Sequence, residues 1–236
     1  MRLDRFLANE NIGSRKAVGA LIRSGAVTVN GQAVKKADGQ IDADSDRICV
    51  NGKPVCYNAY LYIMLHKPAG VLTATRDSRA KTVLDLLPPT LSRRGLFPAG
   101  RLDKDTTGLL IITDDGDFAH RMLAPKSHVV KRYEAFLNLP AEEADKARFA
   151  EGIRSGENLF APAGLEISPD DPRRAWVEIR EGKFHQVKRM FQACGKTVVE
   201  LKRLSIGALA LDERLKPGEA RVLSREEAML VFQKHR

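Results

Sequence analysis

Residues 100–116 constrain the fold more than any other part of the chain. Their second half contains the unbroken apolar run Leu109 to Ile112, which is short enough to be one buried strand. An Asp-Asp-Gly turn follows that run. Their first half is a polar loop that carries two carboxylates, Asp103 and Asp105. The stretch therefore predicts a charged loop that the next strand holds against the core, and catalytic residues often lie on such loops.

Three hypotheses account for the two carboxylates. The first is a calcium loop, because the pattern D-x-[DN]-x-[DN]-G-x5-E is nearly matched from Asp103 to Asp114. Thr107 would be a weak ligand there, Asp114 is shorter than the usual Glu, and residues 97–100 cannot form the helix that precedes such a loop. The second hypothesis is a solvated turn. The third is a catalytic carboxylate, and it depends on what the remaining chain supplies.

The composition is that of a folded protein without a membrane span. A chain of 236 residues suits one large domain, or one modest domain and a small one. No apolar run approaches the length of a membrane span, and no secretory signal follows Met1. The three cysteines, Cys49, Cys56 and Cys194, have no zinc-ligand spacing and are expected to be reduced thiols. We therefore expect a cytoplasmic protein without a metal site.

The charge distribution favours a polyanionic partner. The net charge is +9 and the pI is about 9.6. Residues 1–36 hold seven lysines and arginines against two acids, and residues 180–203 show the same ratio, whereas residues 37–60 hold two against four. Two basic regions indicate two contact surfaces on one long anion. The alternative, an evenly solvated basic surface, stays open.

The first 36 residues predict two short helices and a hairpin. Ser14 can cap the second helix. Arg15 and Lys16 then lie in its first turn, where cations oppose the helix dipole, and a bound phosphate would relieve that conflict. The alternative is that solvent screens these two cations from the helix dipole. Asn30-Gly31, between alternating valines, is a strong hairpin turn.

This part of the chain resembles the S-four-type RNA-binding domain. The resemblance rests on R-L-D-R-F-L-A near the start, S-R-K near position 14 and L-I-R-S-G-A-V-T-V-N-G-Q-A-V from position 21. In that family, two short helices and a small sheet present a basic face to structured RNA. Because the domain occurs with unrelated activities, it indicates RNA and no particular reaction. By resemblance the RNA contacts are Arg2, Arg5, Ser14, Arg15, Lys16, Arg23 and Lys35.

The larger part mixes strands and helices without regular alternation, which predicts an α+β fold. We expect a mixed, largely antiparallel sheet flanked by helices. The expected domains are residues 1–58, which bind RNA, and residues 59–236, which are catalytic. His66-Lys67-Pro68 should interrupt the strand that begins at position 60. Strands are predicted near 60–65, 109–112, 133–137, 176–179 and 198–201, and helices near 82–87, 118–124, 142–151, 185–194 and from 224.

Three separated motifs make this larger part resemble the pseudouridine synthases that act on ribosomal RNA. The motifs are G-R-L-D-K-D-T-T-G-L at Gly100, K-R-Y at Lys131 and E-G-K-F-H-Q-V-K-R-M-F at Glu181. The resemblance implies that Asp103 is the catalytic aspartate, Tyr133 stacks on the target uracil, and Lys188 pairs with the aspartate. At His66 the chain departs from the Leu-Asn-Lys-Pro that is usual in this family.

The implied reaction breaks the N-glycosidic bond of uridine, turns the base and rejoins the sugar to carbon 5. Nothing is oxidised and no group is donated, so no cofactor is expected. Asp103 could act as a nucleophile at the sugar or the ring, or as a base on the sugar, and these routes stay open. We interpret Asp105 as a support of the loop. The target base must leave its stack, at a cost of a few kcal/mol, and stacking on Tyr133 would return roughly 1–3 kcal/mol.

We expect a direct ion pair between Lys188 and Asp103, in a cleft lined by Tyr133 and Leu204. Further candidate RNA contacts lie near the three motifs, and two of them, His185 and Gln186, could instead support the start of a helix. The full set is Arg101, Lys131, Lys183, His185, Gln186, Arg189, Lys202 and Arg203.

The resemblance implies small-subunit (16S) ribosomal RNA as the partner, naked or in a partly assembled particle, with uridine 516 as the target. One alternative is a synthase that acts on large-subunit (23S) RNA. A second alternative is a ribosome-assembly factor that binds RNA and catalyses nothing. We expect a monomer that does not contact membranes.

Overall fold

A computed structural model describes residues 1–10, 12–43, 45–55, 60–91 and 95–234. The chain divides into two units, Met1–Tyr60 with Pro89–Arg94, and Leu61–Pro88 with Gly95–Arg236. The predicted domain boundary between residues 58 and 59 lies outside the described residues. Within the described ranges, no helix is long and apolar enough to cross a membrane.

The first unit contains two helices and a small antiparallel sheet. Ser14 caps the second helix, since its hydroxyl accepts a hydrogen bond from the Ala17 amide at 3.3 Å, as predicted. Leu3, Phe6 and Leu7 of the first helix are buried in the core of this unit. The sheet order is β2-β1-β3-β4. The elements are α1 (Leu3–Asn9), α2 (Arg15–Arg23), β1 (Val27–Val29), β2 (Gln32–Ala33), β3 (Ile48–Val50) and β4 (Lys53–Pro54), with a 3-10 turn at Pro89–Leu91.

The predicted hairpin turn joins β1 to β2. Val29 pairs with Gln32, so Asn30 and Gly31 form a two-residue loop. Their φ angles of 50° and 82° are those of a turn that follows the right-handed twist of the strands. Asparagine and glycine adopt such angles most easily, which is why this pair of residues is a reliable sequence signal.

The second unit is built on one large sheet with helices packed against it. Short 3-10 turns lie at Leu84–Leu86, Pro125–Ser127 and Leu230–Phe232. The strands are β5 (Tyr62–Lys67), β6 (Phe97–Ala99), β7 (Thr107–Thr113), β8 (Lys131–Leu137), β9 (Ile153–Ser155), β10 (Asn158–Phe160), β11 (Gly164–Ile167), β12 (Arg174–Ile179), β13 (Val198–Ile206), β14 (Leu209–Ala210) and β15 (Ala220–Leu223). The helices are α3 (Gly116–Leu123), α4 (Glu143–Glu151), α5 (Gln186–Ala193) and α6 (Arg225–Met229).

The sheet is mixed and mostly antiparallel, as predicted. Its order is β11-β12-β8-β13-β7-β5-β15, with β6 paired to β7 and β14 paired to β13; β9 and β10 form a separate hairpin. The contact between β7 and β13 is parallel, and the other described strand pairs are antiparallel. This parallel contact matters for function because β7 follows the loop that carries Asp103, whereas β13 follows α5.

Gly108 makes that parallel contact possible. It pairs with Arg203, and its φ of 104° lies in the region that favours glycine. A Cβ atom at this position would lie only 2.2 Å from the Arg203 carbonyl oxygen, so any other residue would force the two strands apart. The second glycine of the motif is therefore required by the close approach of two backbones.

The predicted central strand is confirmed. Leu109 to Ile112 are fully buried in β7, and Ile112 pairs with Ile63 of β5. Leu109 and Ile111 pack with Phe118 and Met122 of α3. Burying each such side chain contributes about 1.5–3 kcal/mol, so this strand anchors the loop that precedes it.

Two local predictions were wrong. The segment 82–87 contains only a 3-10 turn at Leu84–Leu86, because the Asp85 carboxylate binds the amide and hydroxyl of Thr82 and prolines follow. His66 and Lys67 do not interrupt the strand but belong to β5. Both are buried, and their polar atoms are bonded inside the protein, His66 to the Leu215 carbonyl.

Candidate active site

The Asp103 loop, residues 100–106, connects β6 to β7 and is tied down by its backbone. Leu102 is buried, and its carbonyl oxygen accepts a hydrogen bond from the Thr73 hydroxyl at 2.7 Å. The Thr106 amide donates to the Asp103 carbonyl at 3.1 Å, which closes a tight turn. The Gly70 amide donates to the carbonyl of Lys104 at 2.7 Å. The loop is therefore rigid enough to hold a carboxylate in one place.

The ammonium group of Lys67 organises the inside of this loop. Its Nζ donates to the carbonyl oxygens of Asp103 at 3.0 Å, Lys104 at 3.2 Å and Thr106 at 2.9 Å, and also to Pro68 at 3.0 Å. The side chain is fully buried. Burial lowers the pKa of Lys67 to about 8, although the nearby carboxylates of Asp105 and Asp103 oppose that shift. Lys67 thus acts as an internal cation around which the loop folds.

The predicted ion pair between Lys188 and Asp103 is confirmed. Lys188 Nζ lies 3.2 Å from Oδ2 of Asp103 and 2.5 Å from Oδ1 of Asp105. The Asp103 side chain is 25% exposed and the Asp105 side chain 74% exposed. The hydrogen bond from Lys188 holds the pKa of the Asp105 carboxyl below its usual range. One lysine therefore bridges both carboxylates of the loop, and the more sheltered carboxylate is Asp103.

The start of α5 brings a second nitrogen to Asp103. His185 precedes the helix with φ 50° and ψ 31°, a left-handed conformation that is uncommon outside glycine. Its Nε2 lies 3.5 Å from Oδ1 of Asp103. The N-terminus of a helix also carries a partial positive charge. Asp103 therefore faces the start of α5, with Lys188 one turn further along the same helix.

Tyr133 lines the same cavity as Asp103. Its ring is buried, and the Arg203 guanidinium lies 5.9 Å from the ring centroid, with NH1 3.4 Å from the phenol oxygen. The cavity of about 60 Å³ has room for roughly two water molecules, so a pyrimidine base must displace side chains to enter. Arg101 and Lys183, which are exposed, also line this cavity.

The cleft differs from the prediction in one wall. Leu201, and not Leu204, lines the cavity with Tyr133. Side chains alternate along β13, so Leu201 and Arg203 face the Tyr133 side and Leu204 faces away. Leu204 lines a separate cavity of about 350 Å³ together with His66.

Three predicted RNA contacts, which stay predictions, have side chains that are buried and bonded inside the protein. Gln186 is buried and bonds to the Lys183 amide and the Glu181 carboxylate, so it supports the start of α5. Lys131 is buried, donates to the Val129 carbonyl, and has its pKa lowered by burial to about 8. Arg203 is buried beneath Tyr133 and donates from Nε to the Leu109 carbonyl at 2.8 Å.

The remaining predicted contacts stay predictions, and their positions differ. Arg101 and Lys183 are exposed, although Lys183 also binds the Leu159 carbonyl and the Glu181 carboxylate. Arg189 is half-buried and donates to the Ser155 carbonyl, which ties it to β9. Lys202 is half-buried and lines two cavities outside the Asp103 cleft. In the first unit, Arg2, Arg5, Ser14, Arg15, Lys16, Arg23 and Lys35 are all exposed, and Arg2 is paired with Asp4.

The calcium-loop hypothesis does not fit the observed loop. Strands β6 and β7 flank it where a calcium loop has helices. The loop carbonyls face the Lys67 ammonium, and Asp114 Oδ1 accepts a hydrogen bond from the Leu61 amide at 2.8 Å. Among the described residues, no three His, Cys, Asp or Glu side chains are grouped as metal ligands. The oxygens of this loop are directed at lysines.

Sequence reasoning missed two residues of the site. Lys67 carried one available signal, a lysine that follows the apolar run Leu61 to Leu65 after a single histidine and precedes a proline. Thr106 carried none, because threonine is common in loops. It is 1% exposed and lines the cavity, and its Oγ1 has no hydrogen-bond partner among the described residues. A buried hydroxyl without a partner is a candidate contact for a ligand in the cavity.

Comparison with known proteins identifies the family. Residues 61–193 match the model of the RNA pseudouridylate synthase family, and residues 1–46 match that of the S4 domain. An uncharacterized RNA pseudouridine synthase, YtzG of Bacillus subtilis, is 47% identical over 98% of both chains. Ribosomal small subunit pseudouridine synthase A is 41% identical in Salmonella typhimurium and 40% identical in Escherichia coli, over 96% of this chain and 98% of each relative.

A solved structure agrees with these sequence relatives. The crystal structure of a pseudouridylate synthase superposes with a TM-score of 0.67, at 39% identity, over 98% of this chain and 99% of the other. The matches extend across both units, and the family model contains the Asp103 loop, Tyr133 and Lys188. On this evidence, the chain belongs to the RNA pseudouridylate synthase family.

Proposed function

We propose that the protein isomerises uridine to pseudouridine in ribosomal RNA, with Asp103 as its catalytic carboxylate and without a cofactor. The observation that carries the proposal is the position of Asp103, sheltered at a cavity shared with Tyr133 and paired with Lys188. An ionised carboxylate beside an aromatic ring is suited to react with a pyrimidine nucleoside bound against that ring.

Asp103 has two chemically reasonable roles. As a nucleophile it adds to the sugar or to the uracil ring, and as a base it removes a proton from the sugar. Lys188 serves either role, because its ammonium pairs with the carboxylate and positions it at the cavity. Exclusion of water matters since water would compete with the base for the sugar carbon.

The substrate base would be extruded from the RNA and placed against Tyr133. Opening the stack costs a few kcal/mol, and stacking on the ring returns roughly 1–3 kcal/mol. The unpartnered Thr106 hydroxyl is placed to form a hydrogen bond with a polar edge of that base. Arg101 and Lys183 at the mouth of the cavity would contact the adjoining phosphates.

We further propose that the RNA is the small-subunit 16S species and that uridine 516 is the target. The support is the 40–41% identity, over nearly the whole chain, to relatives named ribosomal small subunit pseudouridine synthase A. A target in 23S RNA is the alternative within the same chemistry. We also propose that the protein is cytoplasmic and monomeric.

Mapping pseudouridine in both ribosomal RNAs tests this proposal. A strain that lacks the gene should lose one pseudouridine in 16S RNA and none in 23S RNA, and the purified protein should restore it. Restoration without added metal or cofactor, after exhaustive chelation, is the expected result. Loss of a 23S modification alone would support the alternative target, whereas unchanged maps would contradict the proposal.

The first unit should contribute phosphate contacts through the start of α2. Arg15 and Lys16 are exposed in its first turn, with no acidic residue in that turn. Changing both to Ala should weaken RNA binding and reduce the slope of log K against log salt by about 1.5–2 units.

The matched control changes Arg47 and Lys53, which are also exposed cations of the same unit. Their removal alters the net charge equally but should leave the slope within about half a unit of the original. Equal slopes for both double variants would show that the start of α2 does not touch RNA. Salt titrations of RNA binding, monitored by fluorescence anisotropy, would measure both slopes.

A further inference from the structure

Phe184 exposes its ring next to the candidate active site. It is 69% exposed, more than any other large hydrophobic side chain in the described ranges. It immediately precedes His185, and Lys183 and His185 on either side of it line the Asp103 cavity. A singly exposed apolar side chain is common on protein surfaces, so the significance of this ring lies in its position between two residues of the cavity wall.

The exposed ring is held in place by a neighbouring ring. The Phe184 and His185 rings stack with centroids 3.8 Å apart and planes 17° from parallel. The His185 ring is held in place as well, because its Nε2 lies 3.5 Å from Oδ1 of Asp103. One face of Phe184 is thus covered by His185, and the exposure of the side chain places the other face in solvent.

The left-handed backbone of His185 creates this arrangement. A residue with φ 50° is strained by about 1–2 kcal/mol unless it is glycine. The strain turns the chain so that two consecutive side chains stack instead of pointing apart. Strained residues cluster at functional sites, where the surrounding structure maintains them.

The surroundings of the ring suit a nucleobase better than a protein partner. Arg101, Lys183 and Lys188 lie around the same cleft; Lys183 pairs with Glu181 and Lys188 with Asp103 and Asp105, and Arg101 is exposed. Protein interfaces bury several apolar side chains together and are depleted in lysine. A flat ring among cations instead matches single-stranded RNA, whose bases stack on aromatics while its phosphates meet positive charge.

We propose that the free face of Phe184 binds the base of a nucleotide directly adjacent to the target uridine. The inference rests on the proposed function and adds a second base site to the one at Tyr133. Phe184 stacks on the His185 ring, whose Nε2 lies 3.5 Å from Oδ1 of Asp103, so one side chain links the exposed ring to the candidate catalytic carboxylate. A base on Phe184 would therefore lie close to the nucleotide whose base is extruded towards Asp103. Stacking tolerates any base, so the site anchors the strand without reading its sequence.

Abasic substitution at each neighbour of the target tests this inference. The substrate is an RNA fragment that contains the uridine converted by the wild-type protein. In further fragments the nucleotide on the 5′ or the 3′ side lacks its base. Wild-type protein, Phe184→Ala, Phe184→Leu and Phe184→Tyr are compared by RNA affinity and by the half-saturating RNA concentration. Leu139→Ala is the control, since Leu139 is 50% exposed and lies beyond the end of β8.

One abasic position should weaken binding of the wild-type protein by about 5- to 150-fold. Phe184→Ala should weaken binding of intact RNA by the same factor and should become insensitive to that abasic position. Phe184→Tyr should retain wild-type behaviour. Phe184→Leu should resemble Ala, because it keeps an apolar cover on His185 but has no aromatic face. Leu139→Ala should change neither quantity.

Three outcomes would overturn the inference. In the first, Phe184→Ala and the abasic RNA each weaken binding, and the two factors multiply in combination at both neighbouring positions. Phe184 and the bases would then act independently. Full binding by Phe184→Leu would make the side chain a simple cover for His185. A loss confined to the rate at saturating RNA would make it a support of the catalytic loop. Failure of wild-type protein to convert any ribosomal uridine would refute the proposed function itself, and the inference with it.

Discussion

Asp103→Asn should abolish pseudouridine formation while leaving the fold and RNA affinity intact. The amide is nearly the same shape but neither attacks carbon nor accepts a proton usefully. A loss of at least about 10³-fold in single-turnover rate is expected from removal of an essential nucleophile or base. The measurement is the rate of pseudouridine formation in 16S RNA at saturating protein, with RNA affinity measured in parallel.

Asp105→Asn is the matched control, because the two carboxylates share Lys188 as a partner. Asp105 is far more exposed, and its loss removes a surface pair worth about 0–1 kcal/mol. Its rate should stay within tenfold of wild type. Equal losses for both variants would mean that the carboxylates act together, and turnover of Asp103→Asn within tenfold of wild type would refute its catalytic role.

Lys188→Met should produce the second largest loss. Methionine fills the space of the lysine stem but leaves Asp103 without its ammonium partner when RNA covers the site. Breaking a well-buried ion pair costs about 3–5 kcal/mol. Because the Asp103 side chain is 25% exposed, we expect a cost at the lower end, about 3 kcal/mol. This corresponds to a loss of roughly 10²-fold in single-turnover rate at saturating RNA.

Lys188→Arg separates charge from geometry. Arginine keeps the positive charge but presents a planar fork, so partial activity is expected. If Lys188 served only as a phosphate contact, Lys188→Met would instead raise the apparent binding constant and lower the salt slope by about one unit. An unchanged rate at saturation would therefore refute its role beside Asp103.

Sequence reasoning succeeded where local chemistry determines structure. Asn30-Gly31 formed the expected turn, Ser14 capped its helix, and the apolar run at Leu109 became the central buried strand. The pairing of Asp103 with Lys188 is different, because the residues are 85 positions apart. The motif resemblance supplied that pairing, and neither periodicity nor propensity could have done so.

The differences at Lys131, Arg203 and Leu204 arise because the burial of a side chain on a strand depends on how the strands are arranged in the sheet. Lys131 and Arg203 looked like surface cations, yet both are buried: Lys131 donates to the Val129 carbonyl just before its own strand, and Arg203 donates to the Leu109 carbonyl of β7. Leu204 was assigned to the cleft although the pleat of β13 turns it to the other side. Such outcomes follow from strand order and register, which one sequence does not reveal.

Lys67 gives the Asp103 loop a chemical signal of its own. Its pKa of about 8 results from burial and belongs to the closed loop, so opening of the loop returns this amine towards the ordinary lysine pKa near 10.4 and the ordinary reactivity of a surface lysine. The side chain is fully buried, so an acylating reagent reaches it only when the loop opens. The rate of its acylation, relative to surface lysines, therefore measures the free energy of that opening. Bound RNA would slow the acylation of Lys67. The same amine would therefore report how often the loop opens in the free protein and how far bound RNA suppresses that opening.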